Sequence, residues 1–205
     1  MFAFTFSRWV GCLLLAITAL VPPSSDAAPG KSEADLIAML RSQNYKQVLD
    51  ALDRLPNWYP NSTTAVQEIR KLLGTRLTIS GVPPNYLSRK VARSLGNYHA
   101  TLNSDEVKLI LGFVRSAEID DVMDGLKALR GLKEPAEIEE KIAAELVLLL
   151  QDKEPHVVRD AIRTLGVVGN KETIPAIEPF LRHLKLDVKR DAREAITALE
   201  KKPVK

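Results

Sequence analysis

Histidines and paired carboxylates are the residues of this chain most able to carry chemistry, but their spacing argues against catalysis. The three histidines, His99, His156 and His183, share no helical turn and no H-x-x-x-H or H-E-x-x-H spacing, so they do not place two metal ligands on one helix face. The carboxylate pairs at 120–121 and 139–140 are adjacent and diverge on a helix. The sequence has no G-x-S-x-G elbow and no phosphate-cradling glycine loop. We therefore predict no catalytic, cofactor or metal site, and no enzyme.

A repeated charged motif is more informative than these scattered groups. The stretches HVVRDAIRTLGVVGN (156–170) and LDVKRDAREAITALE (186–200) both contain V-x-R-D-A, with Val188 placed 31 residues after Val157. A fixed period indicates one structural unit that is used repeatedly, whereas a catalytic site needs different groups that converge on one point.

The apolar periodicity predicts helices throughout the chain. A first helix follows the N-cap pair Ser32 and Asp35, a second covers 44–55 and ends at PNWYPNS, and a third covers 63–74. The second helix and its turn resemble part of a tetratricopeptide-type hairpin. Beyond the segment LTISGVPP the helices are predicted in pairs: 86–97 with 104–115, 119–131 with 136–151, 155–168 with 172–184, and a final helix 187–200.

The first helices of these pairs share one register of apolar and small residues. Large apolar residues stand at Leu95, Leu129, Leu165 and Ile196, and the residues four positions earlier are Val91, Gly125, Ala161 and Ala192. Residues four apart share a helix face, so this pattern predicts that one helix stacks on the next. We therefore predict an all-α fold, a short α-solenoid over 81–205, preceded by an N-terminal helical region over 28–80.

Composition and charge limit the classes of partner. The chain has 205 residues and a formal net charge of +3, with 29 basic and 26 acidic residues. Only a local cluster of Lys and Arg could therefore favour nucleic acid or an anionic surface. We expect no nucleic-acid partner.

Residues 1–27 have the pattern of an export signal. Arg8 precedes an apolar run from Trp9 to Val21, and small residues follow, so we predict cleavage after Ala27. The run is shorter than the roughly 20 apolar residues of a membrane-spanning helix, which makes an uncleaved anchor the lesser alternative. Cys12, the single cysteine, lies inside this run, so the mature chain would have no thiol. We expect a periplasmic or secreted protein without stable membrane insertion after cleavage.

The stretch VVRDAIRTLGVVGNKETIPAIEPFL, residues 157–181, resembles the HEAT-like repeat of the phycobilisome-lyase type. That repeat has the pattern V-R-x-x-A-A-x-A-L-G-x-I-G, a short turn, and a second helix with V-P-x-L. Val157, Ala161, Leu165, Gly169 and Pro175 are among the matching residues. Two residues depart from the pattern, since Val158 replaces the usual Arg and Pro179 falls inside the second helix, where it should kink or break that helix.

The resemblance implies that the first helix of each repeat lines a concave surface on which variable positions contact a partner. Mapped onto this chain, these positions carry a basic strip, which we define as Arg89, Lys90, Arg93, Lys127, Arg159, Arg163 and Arg190. Acidic and neutral residues, Met123, Asp124, Asp160, Asp191 and Glu194, are interleaved at the other mapped positions.

Two interpretations of the basic strip remain open. In one, Asp and Arg of neighbouring repeats pair in an internal ladder, with exposed pairs contributing about 0–1 kcal/mol each. In the other, the strip is a groove that recognises an acidic segment of another protein, because Arg donates bidentate hydrogen bonds to carboxylates. The two interpretations are compatible.

The leading functional hypothesis is a non-enzymatic protein-binding or scaffold protein that uses the concave face of an exported solenoid. One alternative is an assembly module of an envelope complex that docks through an exposed apolar face of its final helix. A further alternative is a lyase-like enzyme, since bilin lyases are built from similar repeats. The oligomeric state stays open.

Overall fold

The structure, a computed structural model, describes residues 30–74, 85–131 and 136–203. Over these residues the chain forms ten α-helices and no strand. They are α1 (Glu33–Leu40), α2 (Tyr45–Trp58), α3 (Thr63–Leu72), α4 (Tyr86–Asn97), α5 (Ser104–Val114), α6 (Ile119–Gly131), α7 (Ala136–Leu148), α8 (Pro155–Val168), α9 (Ile174–Ile177) and α10 (Leu186–Glu200). The predicted signal and the predicted boundary at 80/81 lie outside the described residues.

The helices alternate between two layers. In one layer α2 packs on α4, α4 on α6, α6 on α8 and α8 on α10, and in the other α1 packs on α3 and α5 on α7. Each helix of the second layer also contacts a first-layer neighbour, as α5 does with α6 and α7 with α8. This arrangement confirms the predicted all-α solenoid of stacked helical hairpins. The described residues from Lys31 onward belong to one compact unit.

Local sequence explains where the helices begin. The predicted cap of α1 is confirmed as a capping box, in which the Asp35 amide donates to Ser32 Oγ at 3.2 Å and the Ser32 amide donates to Asp35 Oδ2 at 2.9 Å. Asn103 and Glu106 form a second capping box at α5. These side chains satisfy amides that have no partner inside the helix.

The predicted end of α2 before Pro56 is wrong, because the helix continues to Trp58. Proline has no N–H and leaves the carbonyl four residues earlier, that of Leu52, without its helical partner. In this structure Ser94 Oγ donates to the Leu52 carbonyl at 3.0 Å, in a buried position between α2 and α4. A side chain of the next repeat thus replaces the missing hydrogen bond.

Pro179 has the effect that the sequence predicts. Instead of a helix over 172–184, α9 is four residues long and is flanked by 3₁₀ turns at Lys171–Thr173 and Glu178–Arg182. Pro175 and Pro179, four residues apart, each remove an amide donor, so a regular α-helix cannot continue through this segment.

The predicted register lies in the core. Leu95, Leu129 and Leu165 are fully buried, and Ile196 is partly buried against them. The predicted small positions Ala161 and Ala192 are also fully buried.

Close backbone approaches lie beside this register, at glycines. A Cβ on Gly96 would lie 2.7 Å from the Ala128 carbonyl oxygen, and one on Gly166 would lie 2.9 Å from the Ala195 Cα. These glycines let α4 approach α6 and let α8 approach α10.

The final helix does not expose the apolar face that the sequence led us to expect. Val188, Ala192, Ala195 and Leu199 of α10 are buried against the rest of the stack. Its outward side carries polar residues, among them Arg193 and Glu194. After its first residue, the exposed Leu186, the outward side of α10 is therefore mainly polar.

Candidate protein-binding face

The basic strip lies on the first-layer helices, where the sequence places it. Arg89, Lys90 and Arg93 are on α4, Lys127 is on α6, Arg159 and Arg163 are on α8, and Arg190 is on α10. Exposure differs widely along the strip, from 7% of the Arg89 side chain to 61% of the Arg190 side chain. Arg89 is therefore a buried residue and not the surface contact that the mapping predicts.

The aspartates between these cations are buried, which corrects their predicted exposure. We call Asp121, Asp124, Asp160 and Asp191 the aspartate ladder; the side chain of each is at most 8% exposed. A carboxylate is costly to bury unless cations and hydrogen bonds compensate its lost hydration. In this structure the compensating cations come mainly from the preceding first-layer helix.

The first rung of the ladder joins α4 to α6. Asp124 is 3.1 Å from Lys90 Nζ, 3.5 Å from Arg93 Nη1 and 3.7 Å from Arg89 Nε. Arg89 also lies 3.6 Å from Asp121, which accepts a hydrogen bond from Ser116 Oγ at 3.0 Å. Three cations of one helix therefore surround the carboxylates of the next.

The last rung joins α8 to α10 with the shortest contacts to a ladder aspartate. Arg159 Nε donates to Asp191 Oδ2 at 2.9 Å, and Arg163 reaches the same carboxylate with Nε at 3.0 Å and Nη2 at 3.2 Å. Burial raises the pKa of Asp191, but the hydrogen bonds from Arg159 and Arg163 outweigh burial and hold the pKa below its ordinary value of 3.8. Asp191 is therefore ionised at neutral pH.

The middle rung departs from this pattern. At the two positions equivalent to Arg159 and Arg163, α6 carries Met123 and Lys127. Asp160 is instead bound by Arg130 Nη1 at 3.1 Å, with Arg163 Nη1 at 3.7 Å. Lys127 makes no ion pair with any residue that the structure describes. The centre of the strip therefore offers an ammonium group that no carboxylate of the described part neutralises.

Sequence analysis missed Arg130 and Asp121 because neither stands at a repeated position. Arg130 precedes Asp160 by 30 residues, close to the 32 residues between Arg159 and Asp191. A search for Arg and Asp separated by one repeat length would have found this pair. Asp121 gives no such signal.

The ladder holds the strip's cations in place and leaves part of their donor capacity free. Arg93 contacts Asp124 through Nη1 alone, and Arg163 binds Asp191 through Nε and Nη2 while its Nη1 lies 3.7 Å from Asp160, beyond hydrogen-bond distance. Both side chains remain partly exposed. A guanidinium group has five N–H donors, so each can still donate to a carboxylate from solvent.

The histidines have separate local contacts. The His99 Nδ1 lies 2.8 Å from the Gly131 carbonyl oxygen, and His99 adopts φ of 52° after the end of α4. His183 Nδ1 accepts a hydrogen bond from the Lys185 amide, and its ring stacks on Phe180. Within the described ranges no group of three His, Cys, Asp or Glu side chains could hold a metal ion.

An open pocket of about 400 Å³ lies beside α3, away from the ladder, and is lined by residues that include Ser62, Gln67, Arg70 and Tyr98. Arg70 Nε lies 2.8 Å from Glu106, so the cation of this lining is already engaged. Burial, reinforced by the Glu33 carboxylate, raises the pKa of Tyr98 above its ordinary value of 10.0. The pocket therefore presents neutral polar groups.

Comparison with solved structures identifies the fold. The chain is similar to the structure of the complex of CpcE and CpcF of phycocyanin lyase from Nostoc sp. PCC7120, with a TM-score of 0.62, 23% identity, and coverage of 89% of this chain and 70% of that chain. Two engineered proteins match with TM-scores of 0.57 and 0.55 at 16% and 18% identity, over 82% and 80% of this chain and over 48% and 77% of theirs.

These likenesses confirm a HEAT-like repeat fold. No family model and no curated protein sequence matches the chain. No described helix has the length and apolar character needed to span a membrane.

Proposed function

We propose that this chain is a non-enzymatic protein-binding or scaffold protein and that its partner docks on the basic strip. The observation that carries the proposal is the set of partly exposed guanidinium groups that buried aspartates hold in place. Side chains that are ordered before binding lose less conformational entropy when a partner arrives. The HEAT-like fold supports the proposal, since solenoids present extended surfaces of this kind.

The partner that fits this strip contributes an acidic segment. Lys127 supplies the ammonium group without a described counterion, and Arg93 and Arg163 lie on the neighbouring helices with free donors. A carboxylate placed near Lys127 would gain an ion pair without displacing one between residues that the structure describes. The internal ladder and the recognition groove are in this view two roles of the same face.

The test uses a charge reversal that leaves the ladder intact. Lys127→Glu removes the cation at the centre of the strip, and Lys141→Glu, on the exposed side of α7, is the matched control. The protein and both variants are used as bait in the native host, and co-eluting proteins are identified. We expect Lys127→Glu to weaken capture by about tenfold or more, corresponding to about 1.4 kcal/mol, and Lys141→Glu to retain it.

Equal recovery of every partner by Lys127→Glu and the parent would overturn the proposal for this strip. Arg159 and Arg163 make a poorer test, since reversing them would place new carboxylates against the buried Asp191. Thermal unfolding of both Lys variants should match the parent, because neither position makes an ion pair within the described residues.

The two alternatives have less support. Docking through an apolar face along α10 loses its basis, because Val188, Ala192, Ala195 and Leu199 are buried and the exposed Leu186 stands alone at the first residue of that helix. A phycocyanin lyase complex is among the structural neighbours, but a likeness at 23% identity concerns the fold only.

We also propose that the chain is exported and cleaved after Ala27, on the strength of the pattern in residues 1–27. N-terminal sequencing of protein from the native host should find Ala28 as the first residue. Protein that still begins at Met1 and stays in the membrane fraction would refute export with cleavage.

A further inference from the structure

Three exposed leucines lie close together before the last helix. The large apolar side chains exposed in the described part of the chain are Ile119, Leu148, Val167, Leu181, Leu184 and Leu186. Half of them fall within residues 181–186, which we call the leucine loop. Leu184 is 96% exposed and Leu186 is 79% exposed. Such a concentration of exposed apolar surface marks an interaction site more often than single exposed residues do.

The loop is shaped by local bonds. The 3₁₀ turn at Glu178–Arg182 ends where His183 takes an extended conformation, with φ of −61° and ψ of 148°. The His183 ring is packed on Phe180, and its Nδ1 accepts the Lys185 amide at 3.1 Å. This bond joins the two residues on either side of Leu184 and so closes a short turn around it. The leucines are therefore presented by an ordered turn.

Basic residues alternate with these leucines. Arg182 and Lys185 are exposed inside the loop, and Lys189 and Arg190 follow in the first turns of α10. Asp187 is held by Arg159 Nη1 at 2.6 Å, and Arg190 lies 3.6 Å from Asp191 and 3.9 Å from Glu194. The exposed Glu178 precedes the loop. Within residues 181–186 themselves the charged side chains, Arg182 and Lys185, are both basic.

We propose that the leucine loop docks this protein on an anionic lipid surface. Leu184 and Leu186 enter the boundary between headgroups and acyl chains, while Arg182 and Lys185 extend their flexible side chains to lipid phosphates. Apolar side chains flanked by Lys and Arg are suited to this interface, because the long basic side chains keep their charges in the headgroup layer. The attachment is peripheral and needs no spanning helix.

The charge pattern favours lipid over a second copy of the chain. A two-fold contact through this loop would bring Arg182 and Lys185 of one copy towards the same residues of the other, and like charges at an interface oppose association. An anionic bilayer supplies opposite charge to every cation of the loop. An apolar groove of another protein would accept the leucines, but it would not by itself supply negative charge to Arg182 and Lys185.

Vesicle flotation tests the proposal. Protein from the native host is mixed with phosphatidylcholine vesicles, with or without one quarter phosphatidylglycerol. We expect binding to the anionic vesicles, weaker binding in 0.5 M NaCl, and little binding to neutral vesicles. The double variant Leu184→Ser with Leu186→Ser should lose at least about tenfold in lipid partitioning. Leu148→Ser, an exposed leucine on α7, is the matched control and should bind like the parent.

Each contrary result overturns the proposal. These are failure of the parent to bind anionic vesicles, equal binding by the double variant, and equal loss by Leu148→Ser. Light scattering of the same samples measures the mass of the protein particle. If the double variant changes this mass and leaves flotation unchanged, the leucines mediate a contact between copies of the chain. All variants carry the same N-terminus, so the apolar run at 9–21 cannot produce a difference between them.

Discussion

Asp191 is the ladder residue at which the contribution of these ion pairs to the free energy of unfolding can be measured. It has no solvent exposure and accepts hydrogen bonds from both Arg159 and Arg163. Replacement by Asn keeps its size and removes its charge. We expect Asp191→Asn to lower the free energy of unfolding by about 2–3 kcal/mol, because two partly exposed guanidinium groups lose a charged acceptor. Urea unfolding at pH 7 measures the loss, with the exposed Asp53→Asn as control.

The same pair of proteins gives a pH test. The pKa of Asp191 is below 3.8 in the folded state, so its contribution is complete above the unfolded value of about 3.8 and disappears as the pH falls through the folded value. The difference between the parent and Asp191→Asn should therefore shrink when unfolding is measured at pH 3 and below. A difference that stays constant from pH 7 down to the acid limit would mean that the charge of Asp191 does not stabilise the fold.

Ser94 and Pro56 form a pair that can be tested by a double-mutant cycle. Ser94→Ala leaves the buried Leu52 carbonyl without its donor, which should cost about 1–3 kcal/mol. In a Pro56→Ala background the new amide can bond that carbonyl, so the same change should cost clearly less. Chemical denaturation of the four proteins yields the coupling. If Ser94→Ala lowered the free energy of unfolding equally in both backgrounds, Ser94 and Pro56 would not be coupled.

At the residue scale, the sequence predicts which helix face a residue lies on better than it predicts how deeply the residue is buried. The resemblance to the HEAT-like repeat places Arg159, Arg163 and Asp191 on one surface. The mapping predicts that Asp191 is exposed, because a single sequence shows that two charges are near each other but not that a neighbouring helix covers one of them. The half-buried Lys127 and the buried Arg89 stand at mapped positions that look alike in the sequence.

At the scale of the helices, the close contact between α4 and α6 can be tested by substituting a glycine. Gly96→Ala would place a methyl group 2.7–2.9 Å from the Ala128 backbone, which cannot move alone. We expect a loss of about 1–3 kcal/mol in unfolding free energy from overpacking. Gly112→Ala on α5 is the matched control, since nothing lies within 4 Å of the added carbon. That change should stabilise the protein by about 0.5–1 kcal/mol, because Ala favours a helix over Gly.

Calorimetry of the two glycine variants decides this point. If Gly96→Ala melted at the parent temperature, the two helices would have to be farther apart than described.

At the element scale the sequence predicts the helices and their order well. The capping box at Ser32 and the effect of Pro179 follow from local chemistry and are confirmed. The end of α2 does not follow from local chemistry. The Ser94 hydroxyl, which replaces the hydrogen bond lost at Pro56, comes from a helix that lies 38 residues later in the chain. The polar outer surface of α10 could have been inferred from Arg193 and Glu194, but the missing partner helix suggested an unfinished face.

For the whole molecule, α10 acts as the closing unit of the stack. A chain that ends at Lys185 would expose the apolar side of α8 and leave Arg159 and Arg163 without Asp191. We expect a loss of cooperative unfolding and rapid proteolysis within α8, as in solenoids without a terminal cap. A chain that ends at Lys201 keeps α10 and loses residues 202–205, among them Lys202, whose Nζ contacts the Gly169 carbonyl at 2.6 Å after the end of α8. Its melting temperature should fall by a few degrees at most.

Limited proteolysis of the two truncated chains, with mass analysis of the fragments, provides the comparison. Resistance of α8 in the shorter chain would show that the stack does not depend on its last helix.

The pairing in the aspartate ladder has a direction. On both outer rungs the cations belong to the earlier helix and the carboxylate to the later one, as with Arg93 and Asp124 or Arg159 and Asp191. The first helix of this series carries Lys90 where the later ones carry Asp, so the sequence of charges has a distinct beginning. A helix such as α8 carries an aspartate that pairs with a cation of the preceding helix, and arginines that pair with the aspartate of the next helix. Insertion or deletion of one whole repeat would therefore leave each ladder aspartate beside cations of the preceding helix, whereas reversal of a single charge would not.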